Sequence, residues 1–250
     1  LDGEAFVLLS RAMIASGRKA EALELLERTS ALAPEKPASW LALAQIWIEL
    51  DDRNQAMLAL RKAKAALPGE PKILTTLGKL YLENEETTDA IAVLRQAAQA
   101  DPANSEAARL LAEAWLRQGY LSEAWQALAP FEEDYASDPE LALTLGKVAL
   151  ANQEITPALK MLKFSWQSLK RDDALTAYAE ALLRVNEKYP NRNQTELAAL
   201  LDAIQHNEPA AKDEFEFDML KTDLKAANGI DEEAYSEYLK LLDNPRSKSP

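Results

Sequence analysis

The stretch WLALAQIWIEL, residues 40–50, decides how the rest of the chain is read. It is the most apolar run present, and it sets Trp40 and Trp47 seven positions apart. Gln45 and Glu49 interrupt it, and it is well short of the roughly 18 apolar residues that a membrane span requires. Displaced by one fixed period it reappears, as FVLLSRAMIAS at 6–16, LTTLGKLYLEN at 74–84, ARLLAEAWLRQ at 108–118 and ALTLGKVALAN at 142–152. Self-similarity at a constant spacing of this length signals a repeat architecture.

Five contiguous units follow, 3–36, 37–70, 71–104, 105–138 and 139–172, and their positions are numbered here as places 1 to 34. Place 4 holds Phe6, Trp40, Leu74, Ala108 and Ala142, and place 7 holds Leu9, Leu43, Leu77, Leu111 and Leu145. Place 8 takes only small residues (Ser10, Ala44, Gly78, Ala112, Gly146), and place 11 takes Met13, Trp47, Tyr81, Trp115 and Ala149. Places 4, 7, 8 and 11 share one face of an α-helix, so each unit opens with an amphipathic helix. After a short polar break a second helix is expected, with alanine at place 20 (Ala22, Ala56, Ala90, Ala124, Ala158) and leucine at place 24 (Leu26, Leu60, Leu94, Leu128, Leu162). The small residue at place 8 is expected to face the alanine at place 20, which lets two antiparallel helices approach closely. Pro34, Pro68 and Pro102 stand at place 32, where a residue without an N–H ends the second helix. Pro130 lies inside the second helix of the fourth unit and predicts a kink or an early end there.

Composition agrees with an all-helical chain. The 250 residues include only 7 glycines and 12 prolines, and 48% are hydrophobic, enough for a substantial core. The formal net charge of −13, without segregated basic residues, disfavours nucleic acid as a partner. With no cysteine, disulfides, thiolate metal sites and cysteine nucleophiles drop out together. The one histidine, His206, has no second histidine or cysteine to share a metal with and reads as a helix-end residue. Phosphate-binding glycine loops and a serine elbow are absent, and acidic runs such as ENEE (83–86) and FEED (131–134) read as solvated faces. No enzyme activity and no cofactor is expected. The chain begins with Leu1 inside a repeat helix, which leads to the expectation of a longer polypeptide with further repeats or an anchor upstream. Bacterial periplasm and cytoplasm are equally compatible with this composition.

Beyond residue 172 the register degrades. ALTAYAEALLRVNEK and TELAALLDAI suggest a sixth, degenerate helix pair over 173–207, with Tyr178, Ala179 and Leu182 in packing roles. Amphipathic segments over 208–243 are separated by Asn228-Gly229, a helix stop, and serve either as terminal caps or as a partner-binding helix with Tyr235, Tyr238, Leu239 and Leu242 as its stripe. The tail NPRSKSP, 244–250, is expected to be disordered.

Small residues at places 8 and 20, a large residue at 11, an aliphatic at 24 and proline at 32 of a unit with 34 places resemble the tetratricopeptide repeat. The resemblance implies an all-α fold, a right-handed superhelical α-solenoid of antiparallel helix pairs with C-terminal capping helices. It also implies that places 2, 5, 9, 12 and 13 line a concave groove that binds a peptide or helix of a partner. Carried onto this chain, place 5 gives Val7, Leu41, Thr75, Arg109 and Leu143. Place 9 gives Arg11, Gln45, Lys79, Glu113 and Lys147, and place 12 gives Ile14, Ile48, Leu82, Leu116 and Leu150. The place-12 aliphatics either face the groove or pack against neighbouring first helices. The family's carboxylate clamp, with Lys and Asn at places 5 and 9, is not reproduced by Val7 with Arg11, Leu41 with Gln45 or Thr75 with Lys79.

The resulting expectation is a non-catalytic protein–protein interaction scaffold whose groove takes a segment with apolar anchors and some negative charge. Two alternatives stand beside it. One is an assembly or regulatory region of a bacterial cell-envelope export or surface-appendage machine, by family analogy alone. The other is a solenoid that self-associates into a homo-oligomer through an exposed repeat edge.

Overall fold

Proline at the first helical position and a side-chain cap before it start many of these helices. Pro37, Pro71 and Pro139 open their helices, and Asp52, Asn104 and Asp138 accept hydrogen bonds from backbone N–H groups of the turn that follows each. The computed structural model describes residues 3–190, 193–205 and 214–242. Among these every regular element is helical: α1 (Gly3–Ala15), α2 (Lys19–Leu32), α3 (Pro37–Glu49), α4 (Arg53–Ala66), α5 (Pro71–Glu83), α6 (Thr87–Ala100), α7 (Ser105–Arg117), α8 (Leu121–Leu128), α9 (Pro139–Ala151), α10 (Ile155–Leu169), α11 (Asp172–Lys188), α12 (Gln194–Gln205), α13 (Glu214–Ala227) and α14 (Asp231–Leu242). His206 and the tail 244–250 lie outside the described residues. The chain divides into two compact units, Leu1–Ala129 and Pro130–Pro250.

Every repeat turns between its two helices in one way. Place 15 is left-handed in all five: Gly17, Asp51, Glu85, Gly119 and Gln153 have φ between 58° and 80°. The N–H of place 15 donates to the carbonyl of place 12, and that of place 16 to the carbonyl of place 11, as in Asp51 to Ile48 at 2.9 Å and Asp52 to Trp47 at 2.9 Å. These are Schellman closures, which satisfy carbonyls that the helix end would otherwise leave bare. Three of the five are made by residues with a Cβ, at a conformational cost of about 1–2 kcal/mol each.

In the first unit Ala56, Leu60, Leu77, Leu94 and Ala97 are fully buried in one core that runs through repeats two to four. The sequence led us to expect place 8 to face the alanine at place 20; at the two repeats with glycine at place 8, the atoms nearest to an added side chain belong instead to the leucine at place 24. A Cβ built at Gly78 would stand 2.4 Å from Leu94 Cγ, and one at Gly146 would stand 2.6 Å from Leu162 Cγ. Leucine at place 24 reaches over the bare glycine backbone, whereas the alanine one turn earlier is too short to be the first contact.

Pro130 has the expected effect. Helix α8 stops at Leu128 and the chain continues as a 3-10 stretch, Ala129–Ala136, with Phe131 buried. In the second unit α9 pairs with α10, and the left-handed Lys170 ends α10 so that α11 begins at Asp172. Tyr178, Ala179 and Leu182 of α11 are buried with Leu197 and Leu200 of α12. Leu220 and Leu224 of α13 join the same core, while α14 packs on α13 and leaves Tyr235 and Leu239 67% and 48% exposed.

Candidate functional site

The first helices of repeats one to four, α1, α3, α5 and α7, carry most of the candidate positions. Consecutive first helices lie against each other in this unit, so a place that recurs in every repeat forms a row across it. At place 9 Arg11, Gln45 and Lys79 are exposed and Glu113 is half-buried. At place 12 the aliphatics are graded: Ile48 is 37% exposed, Ile14 and Leu116 are half-buried, and Leu82 is buried at 3%. At place 5 Leu41 and Arg109 are half-buried and Thr75 is buried, its hydroxyl donating to the Pro71 carbonyl at 2.8 Å. The Val7 side chain lies outside what is described. In the second unit Leu143 and Leu150 are buried in its cores, and Lys147 is half-buried.

Place 13 adds the residues that give this face its electrostatics. Arg11 Nε donates to both Glu49 oxygens at 3.1 Å, Gln45 Nε2 donates to the same carboxylate at 3.2 Å, and the guanidinium holds the Glu49 carboxyl below the usual range. Arg53 stands 3.8 Å from Glu83. Along α7 a ladder runs Arg109, Glu113, Arg117, with N–O separations of 3.7 and 2.6 Å. Arg117 also reaches back with Nη1 to the Leu82 carbonyl at 2.7 Å, at the negative end of α5. The second unit repeats this device, with Arg184 of α11 donating to the Leu150 carbonyl of α9 at 3.0 Å.

Two exposed cations on the face differ from these. Lys72 and Lys79 lie on α5 seven residues apart, hence on one side of the helix two turns from each other, and no ion pair takes up either among the described residues. Lys72, Glu49 and Arg117 are absent from the residues singled out at places 5, 9 and 12. They sit at places 2 and 13 of the same register, which is the signal that finds them.

Among the described residues no group of three or more His, Asp or Glu side chains could hold a metal, and no helix is long and apolar enough to cross a membrane. What the first helices present is charged and apolar side chains in rows, one row for each place of the repeat.

Comparison with known proteins agrees with this reading of the fold. Comparison with curated protein sequences finds no match. Solved structures do match: a tetratricopeptide repeat protein from Parabacteroides merdae has a TM-score of 0.62 at 16% identity, over 96% of this chain and 91% of its own. Pseudomonas aeruginosa pilF has a TM-score of 0.57 at 18% identity, over 76% and 92%. YrrB, described as a TPR protein with an unusual peptide-binding site, has a TM-score of 0.54 at 17% identity, over 69% and 89%. Identities this low speak for the fold alone. The tetratricopeptide repeat model itself matches residues 13–80 and 81–148, more than half of the sequence, and with one register carried through five helix pairs the chain belongs to the tetratricopeptide repeat family.

Proposed function

We propose that this protein is a non-catalytic scaffold, and that the first-helix face of repeats two to four receives an extended or helical segment of a partner protein bearing carboxylates beside an apolar anchor. The observation that carries this reading is the pair Lys72 and Lys79. On a chain with 41 acidic and 28 basic residues they stand exposed on one side of α5 and, among the described residues, neither is held in an ion pair, while Arg11 of repeat one and Arg53 of repeat two are. On α3, the first helix of the preceding repeat, Ile48 at place 12 is 37% exposed and offers an apolar contact, and exposed Gln45 a polar one. Held on a rigid scaffold, such rows of side chains suit the reading of a partner segment.

The test is photo-crosslinking from position 45 in the cell of origin, followed by binding measurements on the captured protein. Lys72→Glu with Lys79→Glu weakens that binding by about tenfold or more per reversal, since each turns an attraction into a repulsion worth about 1.4 kcal/mol or more. Lys19→Glu on the second helix of repeat one leaves it unchanged. Equal affinity for the double reversal and the wild type overturns the proposal.

Self-association is favoured by a separate observation. Leu8 and Leu9, at places 6 and 7 of repeat one, are 64% and 46% exposed, whereas Ala42 and Leu43 at the same places of repeat two are 2% and 3% exposed. A helix pair from a second copy would bury them as repeat one buries repeat two. Light scattering decides this: a mass above 27.7 kDa that Leu8→Lys with Leu9→Lys returns to 27.7 kDa supports it, and a monomeric wild type at all concentrations excludes it.

A further inference from the structure

The aromatic side chain at place 11 is covered differently in successive repeats. In repeat three the guanidinium of Arg61, from place 25 of repeat two, lies 5.3 Å above the centre of the Tyr81 ring. Its Nε donates to the Tyr81 hydroxyl at 2.9 Å, and Glu86 stands 3.7 Å from it. In repeat four Arg95, again from place 25 of the preceding repeat, lies 5.2 Å above Trp115. A cation over an aromatic face is held by the ring quadrupole, and a guanidinium also stacks on it. Repeat two breaks the series. Its place-11 residue is Trp47, and place 25 of the repeat before it is Glu27, which brings a carboxylate where repeats three and four receive a guanidinium.

A cavity of about 270 Å³ opens there, with Trp40, Trp47, Leu58, Glu27 and Lys62 among its walls. Trp40 spends its indole N–H on the Pro34 carbonyl at 3.1 Å. Leu58 is 45% exposed. The volume is below that of ordinary small-molecule sites, about 300–1,000 Å³, and suits one long side chain. Glu27 lies on the wall, a carboxylate at the place that Arg61 holds one repeat later, and place 16, which is Glu86 beside Arg61, is acidic here too, as Asp52. Lys62 opposes an incoming cation, and the Trp47 ring on the wall favours a weakly hydrated, planar guanidinium that can stack on it over a compact ammonium.

We propose that this cavity binds an arginine side chain presented by a partner protein, which takes over Trp47 the seat that Arg61 and Arg95 fill from within in the next two repeats. The site shares no residue with the first-helix face, so the two can succeed or fail independently. It is tested by following the indole N–H resonance of Trp47, assigned with Trp47→Phe, in the full chain titrated with acetyl-Leu-Arg-Leu-amide and with the same peptide carrying citrulline, which keeps the shape without the charge. The arginine peptide gives a saturable shift, and the citrulline peptide binds at least about tenfold more weakly. Glu27→Gln weakens the arginine peptide severalfold and Lys62→Gln tightens it. Glu27→Arg recreates the internal arrangement of repeats three and four: the Trp47 resonance moves before any peptide is added, peptide binding is lost, and the helical circular dichroism is kept. Citrulline peptide binding as tightly as arginine peptide, or peptide binding retained by Glu27→Arg, overturns the proposal.

Discussion

Replacing Gly78 by alanine tests the packing account, because two well-measured effects oppose each other there. In a helix interior alanine is favoured over glycine by about 0.8–1 kcal/mol. Against this, the new Cβ would stand 2.4 Å from Leu94 Cγ and 2.5 Å from Cδ2, and Leu94 is fully buried. Carbon atoms prefer about 3.5–4 Å, so α5 and α6 must part by about 1 Å or Leu94 must leave its rotamer, and overpacking of this kind costs about 1–3 kcal/mol. Repeats two and four already carry Ala44 and Ala112 opposite Leu60 and Leu128, so a relaxed geometry is within reach of this fold. The net effect is therefore set at about 1 kcal/mol of destabilisation, toward the lower end. In a Leu94→Ala background, itself weaker by about 2–5 kcal/mol, the obstructing atoms are gone and the same Gly78→Ala change stabilises by about 1 kcal/mol. The sign reverses, a coupling of about 2 kcal/mol. Urea unfolding of the four proteins, followed by circular dichroism and tryptophan fluorescence, measures it. Equal destabilisation by Gly78→Ala in both backgrounds would refute the close approach of places 8 and 24. The same cycle applies to Gly146 and Leu162.

Three further outcomes follow from the geometry. Asp51→Gly, Glu85→Gly and Gln153→Gly each relieve a left-handed residue at place 15 and raise stability by about 1 kcal/mol, while Gly17→Ala and Gly119→Ala lower it by a similar amount, all read from denaturation midpoints. Arg117→Met and Arg184→Met each remove the guanidinium that donates to the Leu82 and Leu150 carbonyls, and each costs about 1 kcal/mol in the same denaturation assay, the Arg117 change giving up its ion pair with Glu113 as well. Burial and the Asp223 carboxylate push the Tyr238 hydroxyl up to about 12, and burial with Glu196 raises Tyr178 as well. Both contribute stability that is fully present below the unfolded value of about 10 and is lost as pH rises through the folded one. Tyr238→Phe should therefore remove a high-pH component of the tyrosinate absorbance and flatten the fall in stability above about pH 10; an unchanged profile in that variant would count against the assignment.

The repeat register was legible in the amino-acid sequence because it is written in local terms. A 3.6-residue apolar period, proline at place 32 and a polar break between helices each act within a few positions of the chain, and five copies in step point to one fold class. Pro130 was legible for the same reason, since a missing N–H acts on its own helix. The partner to place 8 was not, because the length of leucine against alanine decides it across two helices that must first be docked. The left-handed place 15 was also hidden: two of its residues are glycine, but Asp51, Glu85 and Gln153 give no local sign, and tertiary closure of the hairpin imposes their conformation.

For the candidate surface the division is sharper. Sequence by itself determined which residues occupy places 5, 9 and 12, and hence that Arg11, Gln45, Lys79 and Ile48 share a face with Leu82 and Thr75. Tertiary structure alone decided that Leu82, Thr75, Leu143 and Leu150 are buried, that Arg11 is neutralised by Glu49 from the next repeat, and that Lys79 is not. Exposure and ion pairing depend on what the neighbouring repeat brings to a position that is a full repeat or more away along the chain. The cavity at Trp47 is of the same kind, since one of its walls is Glu27, from the helix of the repeat before it.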